Sequence, residues 1–227
     1  MSRRIVIIGG MGPQASLELH QRIITGAAKA GAKDNEDYPE ILHASIPIPD
    51  FISSGDSSEG LRRLKQSLDA LHLRQDDTLA LACNTAHILL PKIEAAYNVN
   101  FVSLVQTTVD SVQGTGIKRV GLLASPTTLK SGLYQKPLVR IGCDVILPTT
   151  EDIHNLERAI RHVITNASAS QVKSLVESIV ERMVEEGAEQ VILGCTELSV
   201  IFSDSSSKHI VDTLRIVSER LLEIYSL

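Results

Sequence analysis

Two cysteines each close a short apolar run and open onto side chains that can hydrogen-bond. Cys83 ends DTLALAC and is followed by Asn84 and Thr85, while Cys195 ends EQVILGC and is followed by Thr196 and Glu197. A helix-start amide beside a thiol favours the thiolate, lowering its pKa below the usual value of about 8.5. The same amides and hydroxyls suit a bound carboxylate. Each cysteine is therefore a candidate general acid or base. The third, Cys143, opens CDVILP and has the ordinary character of a small buried hydrophobe, so it receives no role.

Other chemistries fit less well. There is no CxxC or HxxxH pair, so the four close ligands of a structural zinc site are missing and no metal is expected. No GxSxG elbow announces a hydrolase, although a nucleophilic cysteine with a nearby histidine stays open. His87, four residues after Cys83, is assigned to supporting the site or capping its turn. Gly10, Gly12 and Ala15 satisfy the spacing that begins a dinucleotide fingerprint. The next strand ends in SIPIPD, without the acid that would hold a ribose hydroxyl, and the two cysteines would be left unused.

The elements that must carry these residues alternate. RIVIIG is a continuous apolar run of the kind buried on both faces of a parallel sheet. Pro13 then opens a helix with Leu17, Ile23 and Ile24 on its apolar face and Gly31 as its stop. EILHASIPI, DTLALAC and NVNFVSL follow as strands, with SSEGLRRLKQSLDALHL and HILLPKIEAAY as helices between them. At RVGLLAS the grammar begins again: TTLKSGLYQKPLVRIG is a helix, CDVILP a strand, the next two segments helices, and EQVILGC a strand matching DTLALAC. Strands alternating with helices make a parallel α/β fold, and the internal repeat divides it into two lobes. The division expected is 1–103 and 104–212, with the amphipathic helix of 213–227, carrying Leu214, Val217, Leu221 and Leu222, packing back on the first lobe.

Bulk properties narrow the partners. The chain has 227 residues, 22 Lys and Arg against 27 Asp and Glu, and a net charge of −5, with the positive residues scattered. No basic stripe exists to follow a phosphate backbone, so nucleic acid is not expected as a partner. No apolar run reaches the roughly 18 residues of a membrane span, so no membrane association is expected. An odd number of cysteines in a chain of this length fits free thiols and a cytoplasmic location.

The motifs GGMGP at 9–13, CNTAH at 83–87, SGLY at 131–134 and GCTEL at 194–198 occur in order across nearly the whole chain. In these the sequence resembles the aspartate/glutamate racemase family. The resemblance implies two flavodoxin-like lobes related by pseudo-twofold symmetry, a homodimer, no cofactor, and a two-base mechanism between Cys83 and Cys195. It also implies a substrate cradle of Met11, Gly12, Asn84, Thr85 and Thr196, with Ser125 and Thr128 after the second lobe's first strand and Glu197 in support.

Two features depart from the family pattern. Phe51 follows the IPD turn where an arginine would grip a second carboxylate, and it is assigned to packing under the loop or touching a substrate side chain. A lysine expected around Thr165 is absent, and Arg161 is assigned to a different helical face. The substrate is thus an amino acid, aspartate or glutamate by resemblance or a broader set. Decarboxylation of a malonate, isomerisation of a maleate-like diacid, and binding of an amino acid without turnover are the alternatives on the same fold.

Overall fold

The computed structural model describes residues 4–48, 58–165, 170–203 and 207–225. Within them the α/β alternation resolves into two four-stranded, all-parallel sheets. The first runs in the order β2 (Glu40–Ser45), β1 (Arg4–Gly9), β3 (Thr78–Leu81), β4 (Asn100–Val102). The second repeats it as β6 (Asp144–Ile146), β5 (Arg119–Ala124), β7 (Gln190–Gly194), β8 (Ile210–Asp212). In both sheets the first strand pairs with the second on one side and the third on the other. Ligand crevices of open α/β sheets form at such reversals, beyond the carboxyl ends of the strands.

Ile5, Val6, Ile7 and Ile8 have no exposure at all, so β1 is covered on both faces as its unbroken apolar run requires. Helix α1 (Pro13–Ala30) covers one face with Ala15, Leu19, Ile23 and Ala27. Leu17, assigned above to the apolar face, instead points to solvent at 61% exposure. It is six residues from Ile23, which at 3.6 residues per turn puts it on the far side of the helix.

Each sheet lends its last helix to the other. Helix α2 spans Ser58–Ala70 and α3 spans Leu90–Glu94, while α4 (Leu104–Thr115) leaves the first sheet. Its Val105, Val109 and Val112 then enter the core around Val120 and Leu122 of β5. The final helix, α10 (Thr213–Tyr225), leaves the second sheet and buries Leu214, Val217, Leu221 and Leu222 with Ile5, Ile7 and Leu19. Between them run α5 (Pro126–Ser131), α6 (Gln135–Arg140), α7 (Thr150–Ile164), α8 (Ser170–Glu185) and α9 (Thr196–Ile201).

Two helices expected as continuous are broken. HILLPKIEAAY becomes a 3-10 turn over Thr85–Ile88 followed by the short α3, in which Pro91 occupies the first turn, where its missing N–H costs nothing. TTLKSGLYQKPLVRIG divides into α5 and α6 at Gly132, and the break turns Tyr134 fully inward.

Candidate active site

Cys83 lies two residues past the end of β3 and Cys195 one residue past the end of β7, the equivalent third strands of the two sheets. Both thiols line one cavity of about 330 Å³. Both are almost wholly buried, at 7% and 5% exposure. The neighbouring lining comes from the loop after β1 (Met11, Gly12), the turn after Cys83 (Asn84, Thr85) and Glu197 at the start of α9.

The β1 loop can approach this closely because it is built from glycine. Gly10, at φ +89°, leaves no room for a side chain: a Cβ there would meet the Ile46 carbonyl oxygen at 2.2 Å. Gly12, at φ +109°, would drive a Cβ to 1.7 Å from Oε1 of Glu197. The glycine spacing that mimics a dinucleotide fingerprint therefore lets the first lobe close over the Cys195 turn of the second.

The surroundings of the two thiols differ. The Cys195 Sγ donates to Oε2 of Glu197 at 3.0 Å. Burial, then the Glu197 carboxylate, push this thiol well above the ordinary cysteine range. This reverses the lowered pKa expected from helix-start amides, because withdrawal from water and an adjacent anion outweigh them. Thr196 lies behind the lining, where its hydroxyl donates to the carbonyl of Ala82 at 3.3 Å, tying the two strand ends together, with Oε2 of Glu197 3.4 Å away as the competing acceptor.

At Cys83 the position equivalent to Glu197 is Thr85. Its hydroxyl sits 3.0 Å from Ser125 Oγ and 2.8 Å from Thr128 Oγ1, and those two are 3.0 Å apart. Ser125 and Thr128 are fully buried and do not line the cavity, so their contact with it runs through Thr85. Asn84 is held at both ends: the Tyr134 hydroxyl donates to its Oδ1, and its Nδ2 donates to Thr213 Oγ1 at 3.4 Å. Burial raises the Tyr134 phenol, which stays a neutral donor.

His87 is behind Cys83 rather than in the cavity. The Leu104 N–H donates to its Nε2 at 3.0 Å, which leaves the ring proton on Nδ1 to donate to the Cys83 carbonyl at 2.9 Å. Burial holds its pKa down to about 4, so the ring is a neutral clamp between the Cys83 turn and the start of α4.

On the other wall the structure corrects one assignment. Arg161, Ile164 and Thr165 all line the cavity, since residues three and four apart share a helix face. Arg161 thus lies on the cavity face of α7, not away from it. Gln14, which sequence reasoning missed along with Tyr134 and Thr213, donates from Nε2 to the Ile164 carbonyl at 3.0 Å and ties this wall to α1. The SGLY motif contained Tyr134 but did not reveal its contact with Asn84, 50 residues away. Phe51 lies outside the described residues. Among those residues no group of three or more His, Cys, Asp or Glu side chains is placed to hold a metal ion, and no helix is long and apolar enough to cross a membrane.

A family model described as Asp/Glu/hydantoin racemase matches residues 8–220. The chain belongs to that racemase family. Among its relatives, the broad specificity amino-acid racemase of Bacillus subtilis (strain 168) is 26% identical over 226 residues, covering 97% of each chain. An aspartate racemase homologue from Pyrococcus horikoshii OT3 superposes with a TM-score of 0.77 at 28% identity, each chain wholly covered. The Picrophilus torridus aspartate racemase superposes with a TM-score of 0.82 at 24% identity over 99% of this chain and 95% of its own, which establishes the shared fold. The two four-stranded sheets are those of the two flavodoxin-like racemase lobes.

Proposed function

We propose that this protein racemises a free α-amino acid without a cofactor, with Cys83 and Cys195 as the acid/base pair. One observation carries the proposal: the two thiols end topologically equivalent strands and line one cavity. Family membership and the relative from Bacillus subtilis support the reaction class.

The chemistry requires removal of the α-proton beside a carboxylate and its replacement from the opposite face. A thiolate at one cysteine takes the α-proton, the electron pair is held on the α-carbon and carboxylate, and the other thiol delivers its own proton to that carbon. Configuration inverts, and the two cysteines have exchanged protonation states. Cys195, kept protonated by burial and Glu197, is the donor in the resting enzyme, and Cys83 is the base. The thiolate left on Cys195 and the thiol left on Cys83 run the reverse reaction with the roles exchanged; for the resting enzyme to start in that direction, the Cys195 proton passes to Glu197 and Cys83 takes one from solvent.

Met11, Gly12, Asn84 and Thr85 are assigned to the substrate's carboxylate and the charge that develops there. Asn84 is preorganised by Tyr134 and Thr213, and Thr85 by Ser125 and Thr128, so neither must reorient as the charge grows. We assign residues 1–103 with 213–227 to one lobe and 104–212 to the other, so that each supplies one thiol. A cytoplasmic homodimer belongs to the same proposal and is tested by light scattering and cell fractionation.

The test is incubation with a panel of L-amino acids, following α-proton exchange and D-isomer formation. At least one amino acid is expected to racemise, with Cys83→Ala and Cys195→Ala each lowering kcat/KM by about 10³-fold or more. Absence of exchange across the panel, with loss of carbon dioxide from a malonate or isomerisation of a maleate instead, would replace racemisation with one of those reactions.

A further inference from the structure

Apart from the strand-end residues already assigned and Arg161 and Thr165 at the end of α7, the side chains of the cavity wall are apolar: Met11, Pro13, Ile48 and Ile164. Among the described residues Arg161 is the one Lys or Arg on that wall. Its guanidinium is engaged by Glu157 one turn earlier, at 3.1 Å from Nε and 3.0 Å from Nη2 to the same carboxylate oxygen. The stretches that continue from Ile48 and Thr165 in sequence, 49–57 and 166–169, contain no Lys or Arg.

The charges that face the substrate therefore lean negative. Glu197 contributes a carboxylate to the wall, Glu157 offsets Arg161, and the reaction itself needs a thiolate in the same cavity. The substrate's ammonium group is well matched to such a site. A second substrate carboxylate would be withdrawn from water beside these anions and against apolar side chains, a large penalty without a dedicated counter-charge. An apolar side chain meets Met11, Ile48 and Ile164 and gains from leaving water.

We propose that the preferred substrates are amino acids with a neutral, apolar side chain of leucine or methionine type, and that Ile164 helps to set this choice. The inference rests on the racemase reading above and narrows its substrate. It departs from the acidic substrates that the family description suggests.

The experiment compares kcat/KM for racemisation of leucine, methionine, aspartate and glutamate by the intact wild-type chain. Leucine or methionine is expected to exceed both acidic amino acids by about tenfold or more, the scale on which a pocket discriminates against a mismatched side chain. Rates with aspartate or glutamate equal to or above those with leucine and methionine overturn this inference and leave the racemase reading standing. No exchange with any amino acid overturns both. Ile164→Lys, which adds a cation to the apolar wall, is expected to raise the acidic-to-neutral ratio by about tenfold. A folded variant with an unchanged ratio removes Ile164 from the account, and the wild-type order decides the substrate class whether or not that variant folds.

Discussion

At the scale of single residues, the decisive contact is the 3.0 Å hydrogen bond from Cys195 to Glu197. It makes the two thiols chemically unequal although their strands are equivalent. Replacing Glu197 by Gln removes the anion while leaving the burial that is the larger cause of the raised thiol pKa. The Cys195 pKa is then expected to fall part of the way toward the ordinary value, so that alkylation of Cys195 in a Cys83→Ala, Cys143→Ala background begins at lower pH. An unchanged alkylation profile would separate Glu197 from the thiol. With both cysteines present, the same substitution is expected to reduce kcat/KM by ~10²-fold, the usual scale for losing a positioned proton acceptor. The candidates Cys83 and Cys195 were legible because a cysteine at a strand end is a local signal. The raised pKa was not, since desolvation depends on what two distant segments bring over the thiol.

At the scale of elements, the His87 clamp joins the turn after β3 to the first residue of α4. With its pKa held down to about 4 against an ordinary 6.5, the folded protein keeps this ring neutral where the unfolded chain protonates it. The unfolded state then binds more protons, so the contribution is fully present above about pH 6.5 and is lost as pH falls toward 4. The shift corresponds to about 3 kcal/mol across that window. His87→Gln is expected to flatten this part of the stability-versus-pH curve in denaturant titrations, while costing about 1–3 kcal/mol at neutral pH through strained hydrogen bonds. A curve of unchanged slope would assign the acid sensitivity elsewhere. Element order was legible because each buried strand is an unbroken apolar run, as RIVIIG shows. The breaks at Pro91 and Gly132 were less so, because a short helix and a long one share the same apolar spacing until tertiary contacts choose. Arg161 illustrates the converse: its cavity position follows from helical periodicity with Thr165, once α7 is known to end at that wall.

At the scale of the whole molecule, the candidate site is a cavity lined from the strand ends of both sheets, and long-range contacts hold the two sheets together. Arg22 of α1 donates to Asp212 at the end of β8 at 2.6 Å, to the Ser199 carbonyl at 3.1 Å and to Glu18 at 2.7 Å. Arg22→Ala would leave the largely buried Asp212 without its cation and is expected to lower the unfolding free energy by about 3 kcal/mol, read from the denaturant midpoint. A loss well under 1 kcal/mol would show that the helix exchange between sheets suffices. The repeat of DTLALAC in EQVILGC made a two-lobe arrangement readable, whereas Arg22–Asp212, separated by 190 residues, carried no pattern in the chain. The central claim, that thiols from the two halves act on opposite faces of one carbon, is tested most directly by running the reaction in deuterated water and measuring α-deuterium separately in each enantiomer at early times. The account predicts deuterium in the newly formed enantiomer and protium retained in the recovered starting enantiomer, with formation of the new enantiomer abolished by either Cys83→Ala or Cys195→Ala. Equal deuterium in both enantiomers from the outset, or turnover that survives loss of either cysteine, would contradict it.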